Sequence, residues 1–285
     1  MNKKLLKEMF HSSKWPSIDF GLADVSQQAQ RLAGKFSISG VQPKLSVKLD
    51  KKQNMLIVVG AGGEYILKPQ QTFLRIPENE QCCMDLAQKL GIEVPLHCLL
   101  PLKDKSLAYV VKRFDRDKGA KIQQEDFVQI LGVNDKYTGS VEQVGRKLKD
   151  ISSAPGYDVQ LFFDRVVLNF ILGNGDAHLK NYAILYKEGG IRLAPAYDIV
   201  CSRLVILNED ESAISIHGKK NRLLREDFDR LAEYFNVPIK VRYERFEKKF
   251  SLMREIITAS QMSDEDQVRF LDIVKERLNR LHIAQ

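Results

Sequence analysis

Residues 173–181 read Gly173-Asn174-Gly175-Asp176-Ala177-His178-Leu179-Lys180-Asn181, and Tyr197-Asp198-Ile199 follows further on. The first stretch is a polar loop leaving an apolar run, Val159–Leu172, whose length and hydrophobicity predict a helix. Asp176 and Asn181 stand five residues apart on the loop, and Asp198 ends the next apolar stretch. Phosphoryl transfer uses such a set: one Asp faces the acceptor hydroxyl, an Asn holds magnesium, and a later Asp holds the metal against the phosphates. Magnesium takes hard oxygen ligands and keeps several waters, so one Asn and one Asp suffice beside the β- and γ-phosphates of ATP. Asp176 is therefore the candidate base, and Asn181 and Asp198 are the candidate metal ligands. His178 and Lys180 flank them, and either can contact the γ-phosphate. His178 reads first as a hydrogen-bonded loop histidine.

Upstream, Glu64-Tyr65-Ile66-Leu67-Lys68 returns from a glycine turn at 60–63 as the second arm of a hairpin. A lysine at the end of such a strand can reach nucleotide phosphates as a point charge. Read alone, Lys68 is an ordinary exposed strand-end lysine; ahead of the Asp176 loop it becomes the candidate ATP lysine. Glu80, in the first turns of the next helix, either pairs with Lys68 or sits there because the helix dipole favours a carboxylate. Ser37-Ile38-Ser39-Gly40-Val41-Gln42-Pro43-Lys44 precedes the first strand, and its small residues let backbone N–H groups approach phosphate oxygens. It is not a Walker A loop and lacks the three spaced glycines of an ordinary kinase loop. Ser37 and Ser39 are candidate phosphorylation sites, where an added phosphate places about −1.5 to −2 charge beside the nucleotide.

Around these motifs the chain changes character once. Residues 44–50, 56–59, 64–68, 96–102 and 107–114 read as strands, with a helix over 77–90. A short helix is expected at 24–34. Beyond residue 115 the pattern is helical, with amphipathic helices over 225–236, 240–259 and 263–283. The expected architecture is α+β and two-lobed. A small β-rich N-lobe over 1–115 would bind nucleotide, and a larger helical C-lobe over 116–285 would carry catalysis. The connection passes through Val110-Val111-Lys112-Arg113-Phe114-Asp115.

Bulk properties narrow the function classes. At 285 residues and 44% hydrophobic content the chain can hold a sizeable core. No apolar run reaches bilayer length, and the basic N-terminus has no apolar core behind it, so neither a membrane span nor a secretory signal is expected. Four cysteines, Cys82 and Cys83 adjacent and Cys98 and Cys201 apart, show neither metal-site nor disulfide spacing and read as reduced thiols of a cytoplasmic protein. The histidines show no zinc spacing, and no Gly-x-Ser-x-Gly elbow supports a hydrolase. A net charge of +7 suits a phosphate-bearing partner: nucleic acid, ATP, or a protein that itself binds nucleic acid. The densest basic spot, Lys219-Lys220-Asn221-Arg222 with Arg225, reads first as a solvated loop.

In order and spacing these motifs resemble the HipA-type serine/threonine kinases of bacterial toxin–antitoxin systems. The shared segments are 37–44, Tyr65-Ile66-Leu67-Lys68-Pro69, Glu78-Asn79-Glu80, Lys112-Arg113-Phe114-Asp115-Arg116, Gln124-Glu125-Asp126, Lys136-Tyr137, 174–181 and 197–199. The resemblance implies a protein-kinase-like fold and ATP clamped by Lys68 and by Ser39, Gly40, Val41, Gln42 and Lys44. It implies adenine against the backbone of Lys112, Arg113 and Phe114, with Asp176 as base and Asn181 and Asp198 on Mg2+. HipA carries about a hundred residues before the Gln-Pro-Lys loop, a typical domain size; here some 36 precede it. That and the paired Ser37 and Ser39 resemble the shorter HipT form, in which both serines can be autophosphorylated and a small HipS-like protein supplies the missing subdomain. The implied partners are an aminoacyl-tRNA synthetase as substrate and a HipB-like helix-turn-helix antitoxin, with DNA reached only through the antitoxin and no membrane. Two other functions fit the same loop: a small-molecule phosphotransferase, and a non-catalytic kinase-like scaffold that binds an antitoxin. The basic charge disfavours the former, whose cationic substrates want acidic pockets. The intact set of Lys68, Asp176, Asn181 and Asp198 disfavours the latter.

Overall fold

Alternation of apolar and polar residues in Leu45-Ser46-Val47-Lys48-Leu49-Asp50 produces a half-buried strand, β1 (Leu45–Asp50), with the pattern of burial that alternation requires. β2 (Met55–Val58) and β3 (Tyr65–Pro69) flank it. In the computed structural model, which describes residues 3–25, 44–70, 75–117 and 119–284, these strands join β4 (His97–Pro101) and β5 (Leu107–Lys112) in one antiparallel sheet. Its order is β2-β1-β3-β5-β4. One face of the sheet is apolar: Val47, Tyr65, Leu67, Cys98, Leu100, Ala108 and Val110 share a cluster with Leu6, Met9 and Phe10. The last three come from α1 (Lys3–Phe10), which the Tyr65 hydroxyl ties down by donating to the Met9 carbonyl at 2.7 Å. Successive strand residues point to opposite faces, so Lys68 and its cross-strand partner Tyr109 lie on the face away from this cluster. A two-stranded hairpin, β6 (Arg116–Asp117) with β7 (Ala120–Lys121), follows.

Two compact units divide the chain. The first comprises residues 1–81 and 95–121, the second 82–94 and 122–285. A cut at 115 therefore differs from the structure in two ways: the boundary falls after Lys121, and it also runs through α2 (Ile76–Lys89). The reason is bonding just beyond that helix. Arg245 donates to the Gly91 carbonyl at 2.7 Å, and the Ala196 amide donates to the Glu93 carbonyl at 2.8 Å.

The second unit is built on α5 (Pro155–Ile171), which opens with proline in its first turn and is buried almost all round. Its two buried carboxylates are ion-paired. Asp158 accepts from Arg192 at 2.8 Å and Ser152 at 2.6 Å, and Asp164 accepts from Arg245 at 2.6 Å. Around it lie α3 (Phe127–Leu131), α4 (Val141–Ile151), α6 (Arg225–Tyr234), α7 (Phe250–Thr258) and α8 (Asp264–Arg280). A capping box of Ser140 and Gln143 starts α4.

Differences from the sequence reading are local. The strand over 107–114 ends at Lys112. The helix over 240–259 is interrupted: only Phe250–Thr258 is α-helical, because Lys248 takes a left-handed φ of 57° and its amide donates to the Ala284 carbonyl instead. The helical half also holds a three-stranded antiparallel sheet, order β10-β9-β8, made by β8 (Gln123–Asp126), β9 (Ala183–Lys187) and β10 (Gly190–Leu193). The helix expected at 24–34 lies almost wholly outside the described residues. All four cysteines are free and buried. Among the described residues, no helix is long and apolar enough to cross a membrane.

Candidate active site

In the first unit, Lys68 and Glu80 form a buried ion pair at 2.5 Å, with side chains only 8% and 1% exposed. Of the two readings of Glu80, the pairing is the one realised. The Lys68 ammonium also stands 5.6 Å from the centroid of the Tyr109 ring. Holding an ammonium and a carboxylate out of water costs several kcal/mol per ion unless each is well partnered. A lysine kept here is therefore fixed in position, as a phosphate-binding charge has to be. Lys44 immediately precedes β1, whose Leu45 pairs with Leu67, the neighbour of Lys68. At the end of β5 the Lys112 amide donates to Leu96 and the Arg113 amide to Glu64. The Arg113 side chain forks onto Asp115 at 2.8 and 2.7 Å, and Arg116 reaches the same carboxylate at 2.6 Å. These contacts hold Asp115 below the usual carboxylate range against the opposing push of burial. Ser37, Ser39, Gly40, Val41 and Gln42 lie outside the described residues.

In the second unit, the loop begins where α5 is stopped by Gly173 at φ +66°, the left-handed position that ends helices. Asn174 folds back onto the helix, its amide group donating to the Asn169 side chain at 2.9 Å. Gly175 has no alternative, since a Cβ there would lie 2.2 Å from the Asp210 carbonyl oxygen. Its amide donates to Ser202 at 2.8 Å, and Ser202 donates to Glu209 at 2.7 Å. Asp176 is then presented with its side chain 47% exposed.

A tight turn closes the loop. The His178 amide donates to the Asn181 side-chain oxygen at 3.0 Å, and Leu179–Asn181 form a single 3-10 turn. Tyr197 donates to the Lys180 carbonyl at 2.8 Å, which brings the next residue, Asp198, alongside. The Asn181 amide nitrogen donates to Asp198 Oδ2 at 3.1 Å. Asp198 has φ 60°, a left-handed conformation that Asp and Asn tolerate better than other non-glycine residues. Asp176, His178, Asn181 and Asp198 are thus gathered at one place, and Lys180 lies exposed on the same turn.

Burial pushes the His178 imidazole below its ordinary pKa, against the pull of Asp176 and Asp198 and with help from Lys136. His178 is therefore neutral at neutral pH. It lies 4.0 Å from Asp176, too far for a hydrogen bond, and contacts Tyr137 edge-on with ring centroids 5.5 Å apart. Among the described residues, no three His, Cys, Asp or Glu side chains converge as a metal cage. The Asn181–Asp198 pair is a different donor set: hard oxygens, fitted to a magnesium ion that completes its shell with phosphate oxygens and waters. A carbonyl oxygen has two lone pairs, so Asn181 Oδ1 can accept from His178 and still face a metal. Of the basic spot at 219–225, Lys219 pairs with Asp227 at 2.7 Å and Arg225 with Asp229 at 3.4 Å, so its charge is partly used inside the unit.

Sequence reasoning assigned no role to two residues of the site, although Tyr137 lies in one of the shared segments. Tyr137 donates to Asp176 Oδ1 at 2.8 Å from 39 residues away. Glu209 supports the loop through Ser202. Their contacts with the loop carry no local signal, because each meets it only through the tertiary fold. Burial, with Asp176 adding to it and the Ser202 bond opposing, pushes the Glu209 carboxyl up to about 7. Its folded value stands above the ordinary 4.5, so the native state holds the extra proton between about pH 4.5 and 7. Stability from this group falls as pH rises through that window and is level above it. Glu209→Gln keeps an acceptor for Ser202 and removes the titration. The variant's melting temperature should gain on wild type between pH 5 and pH 8; a constant difference across that range would contradict the assignment.

The chain matches the HipA-like C-terminal domain family over residues 36–265. It is 36% identical over 220 residues to the putative kinase Y4dM of Sinorhizobium fredii, covering 70% of this chain and 53% of that one. It is 27% identical over 205 residues to the serine/threonine-protein kinase toxin HipA of Shewanella oneidensis, covering 64% and 47%. The chain thus spans about half the length of these curated relatives. Among solved structures, it is similar to the complex of Shewanella oneidensis HipA with HipB and operator DNA, with a TM-score of 0.72 at 19% identity, covering 91% of this chain and 71% of that one. It is also similar to the Helicobacter pylori proinflammatory kinase CtkA, with a TM-score of 0.55 at 18% identity, covering 76% and 86%. At such identities the likeness concerns the fold: a mixed α/β N-terminal region and a larger helical C-terminal region, the two-lobed kinase-like architecture. With the family match running through both the buried lysine and the Asp176 loop, the chain belongs to the HipA-like C-terminal domain family.

Proposed function

We propose that this chain is an ATP-dependent protein serine/threonine kinase, the toxin of a HipA-type toxin–antitoxin system, of the short HipT form. The observation that carries the reading is the loop that sets Asp176 beside the Asn181–Asp198 pair, with its 3.1 Å amide–carboxylate bond. Magnesium bound there with ATP would supply positive charge to the β- and γ-phosphates. The chain's own residues do the rest. Asn181 and Asp198 hold the metal, and Asp176 orients the acceptor hydroxyl and takes its proton. Neutral His178 offers a ring N–H rather than a fixed charge to the γ-phosphate, and Lys180 adds a mobile cation. Lys68, immobilised by Glu80, balances nucleotide phosphate charge, as do the backbone groups of Ser39–Lys44. Adenine meets the backbone of Lys112–Phe114. The amides of Lys112 and Arg113 are engaged in the sheet, so recognition falls to the other groups of that stretch.

In this proposal the substrate is a translation component such as an aminoacyl-tRNA synthetase, and Ser37 and Ser39 are the self-phosphorylation sites. The 27% identity to the Shewanella oneidensis serine/threonine-protein kinase toxin HipA supports the kinase-toxin reading in general. It would act in the cytoplasm. Its partners would be a HipB-like antitoxin, through which it reaches DNA, and a small HipS-like protein. Incubation with γ-labelled ATP and lysate tests the reading. Label on the chain and on a protein is expected; label on small molecules alone makes it a small-molecule phosphotransferase instead.

A further inference from the structure

Among the described residues, Tyr137 is the one side chain that hydrogen-bonds to the Asp176 carboxylate. Its ring is 41% exposed, yet it is held from several sides. Its amide donates to Asp135 at 3.2 Å, and Thr138 donates to the same carboxylate at 3.1 Å. The Leu179 amide donates to the carbonyl of neighbouring Lys136 at 3.1 Å, which fastens this turn to the loop itself. The Lys136 ammonium lies 4.7 Å from the Tyr137 ring centroid, and the His178 ring meets it edge-on. A carboxylate's last torsion is broad and nearly two-fold, so a half-exposed Asp does not by itself keep one oxygen facing one way. Here Oδ1 is occupied by Tyr137, and Oδ2 is the oxygen directed toward the His178 side at 4.0 Å.

We propose that Tyr137 is a positioning residue for phosphoryl transfer, its hydroxyl pinning Asp176 Oδ1 so that Oδ2 is the oxygen presented to the acceptor hydroxyl. The inference rests on the kinase reading and deepens it. Tyr137 touches neither nucleotide nor acceptor in this role and acts only through Asp176. Burial and the neighbouring Asp176 carboxylate push the Tyr137 phenol up to about 12, so the group remains a donor across the working pH range.

The test is the initial rate of self-phosphorylation of the full chain with γ-labelled ATP. Tyr137→Phe keeps the ring and its contacts with Lys136 and His178 and removes the hydroxyl alone. A hydrogen bond to a charged group is lost, so the rate should fall about tenfold, with ATP affinity by calorimetry and melting temperature close to wild type. In an Asp176→Asn background the same change should cost nothing further, because a residue that acts through another is not additive with it. The labelled residue should be phosphoserine. Transfer by Tyr137→Phe at the wild-type rate overturns the inference alone. So does an additional tenfold loss in the double variant. Phosphotyrosine mapped to Tyr137 on wild type would make that residue an acceptor and overturn it too. A wild-type chain that labels no protein overturns the kinase reading and the inference with it.

Discussion

Asp176→Asn should lower phosphoryl transfer by about 10²–10⁴-fold, the range that a positioned general base supplies. The substitution suits the site because it changes so little else. The new side-chain oxygen can still accept from Tyr137, as Oδ1 does now at 2.8 Å. The Asp176 backbone carbonyl still accepts from the His178 amide at 2.8 Å, so the turn stays closed. What disappears is the negative charge and the capacity to take a proton. Expression of the variant should accordingly not arrest growth, and its melting temperature should match wild type within about 2 °C, the change expected of a surface substitution worth under about 0.5 kcal/mol. Growth arrest by Asp176→Asn equal to wild type would remove the enzymatic reading and leave a non-catalytic, antitoxin-binding scaffold.

The second large effect belongs to Asp198. Asp198→Asn should abolish measurable transfer, a loss of about 10²-fold or more, as expected where electrostatic stabilisation is removed. It should also weaken magnesium-dependent ATP binding. The conformational side is nearly neutral: Asn is as comfortable as Asp at φ 60°, and its side-chain oxygen can accept the bond that Asn181 now donates at 3.1 Å. Folding should therefore survive while the charge proposed to face the metal is lost. Calorimetry of ATP binding with and without magnesium separates the cases. Weaker binding only when magnesium is present supports the metal role, and equal affinity of variant and wild type refutes it.

The two variants fail differently. In the proposed roles Asp176 acts on the acceptor, so its loss should leave ATP affinity intact, whereas Asp198 acts on the metal-bound nucleotide, so its loss should not. A pair of variants with the same binding defect would mean that the roles have been divided wrongly.

Much of this was written into the chain locally. Period-two alternation in 45–50 made a strand, and the apolar run before Gly173 made a buried helix, because periodicity dictates which face meets the core. The glycines at 173 and 175 marked the loop, and at 175 a Cβ would collide with the Asp210 carbonyl oxygen. Asp176, Asn181 and Lys68 were legible for the same reason, since each sits at a fixed offset from an element end. Where the register of apolar residues continued but the backbone turned, as at Lys248, the local pattern misled; a left-handed residue and one long-range bond to Ala284 outweighed it. Long-range contacts decided everything else. Glu80 became a partner of Lys68 only through burial. Asp198 reached Asn181 because Tyr197 is tied to Lys180, and the Asp176 carboxylate is aimed by Tyr137 and braced through Ser202 by Glu209. Local sequence fixes dihedral preferences and periodicity, whereas these hydrogen bonds join residues many positions apart and exist only once the core has closed around them.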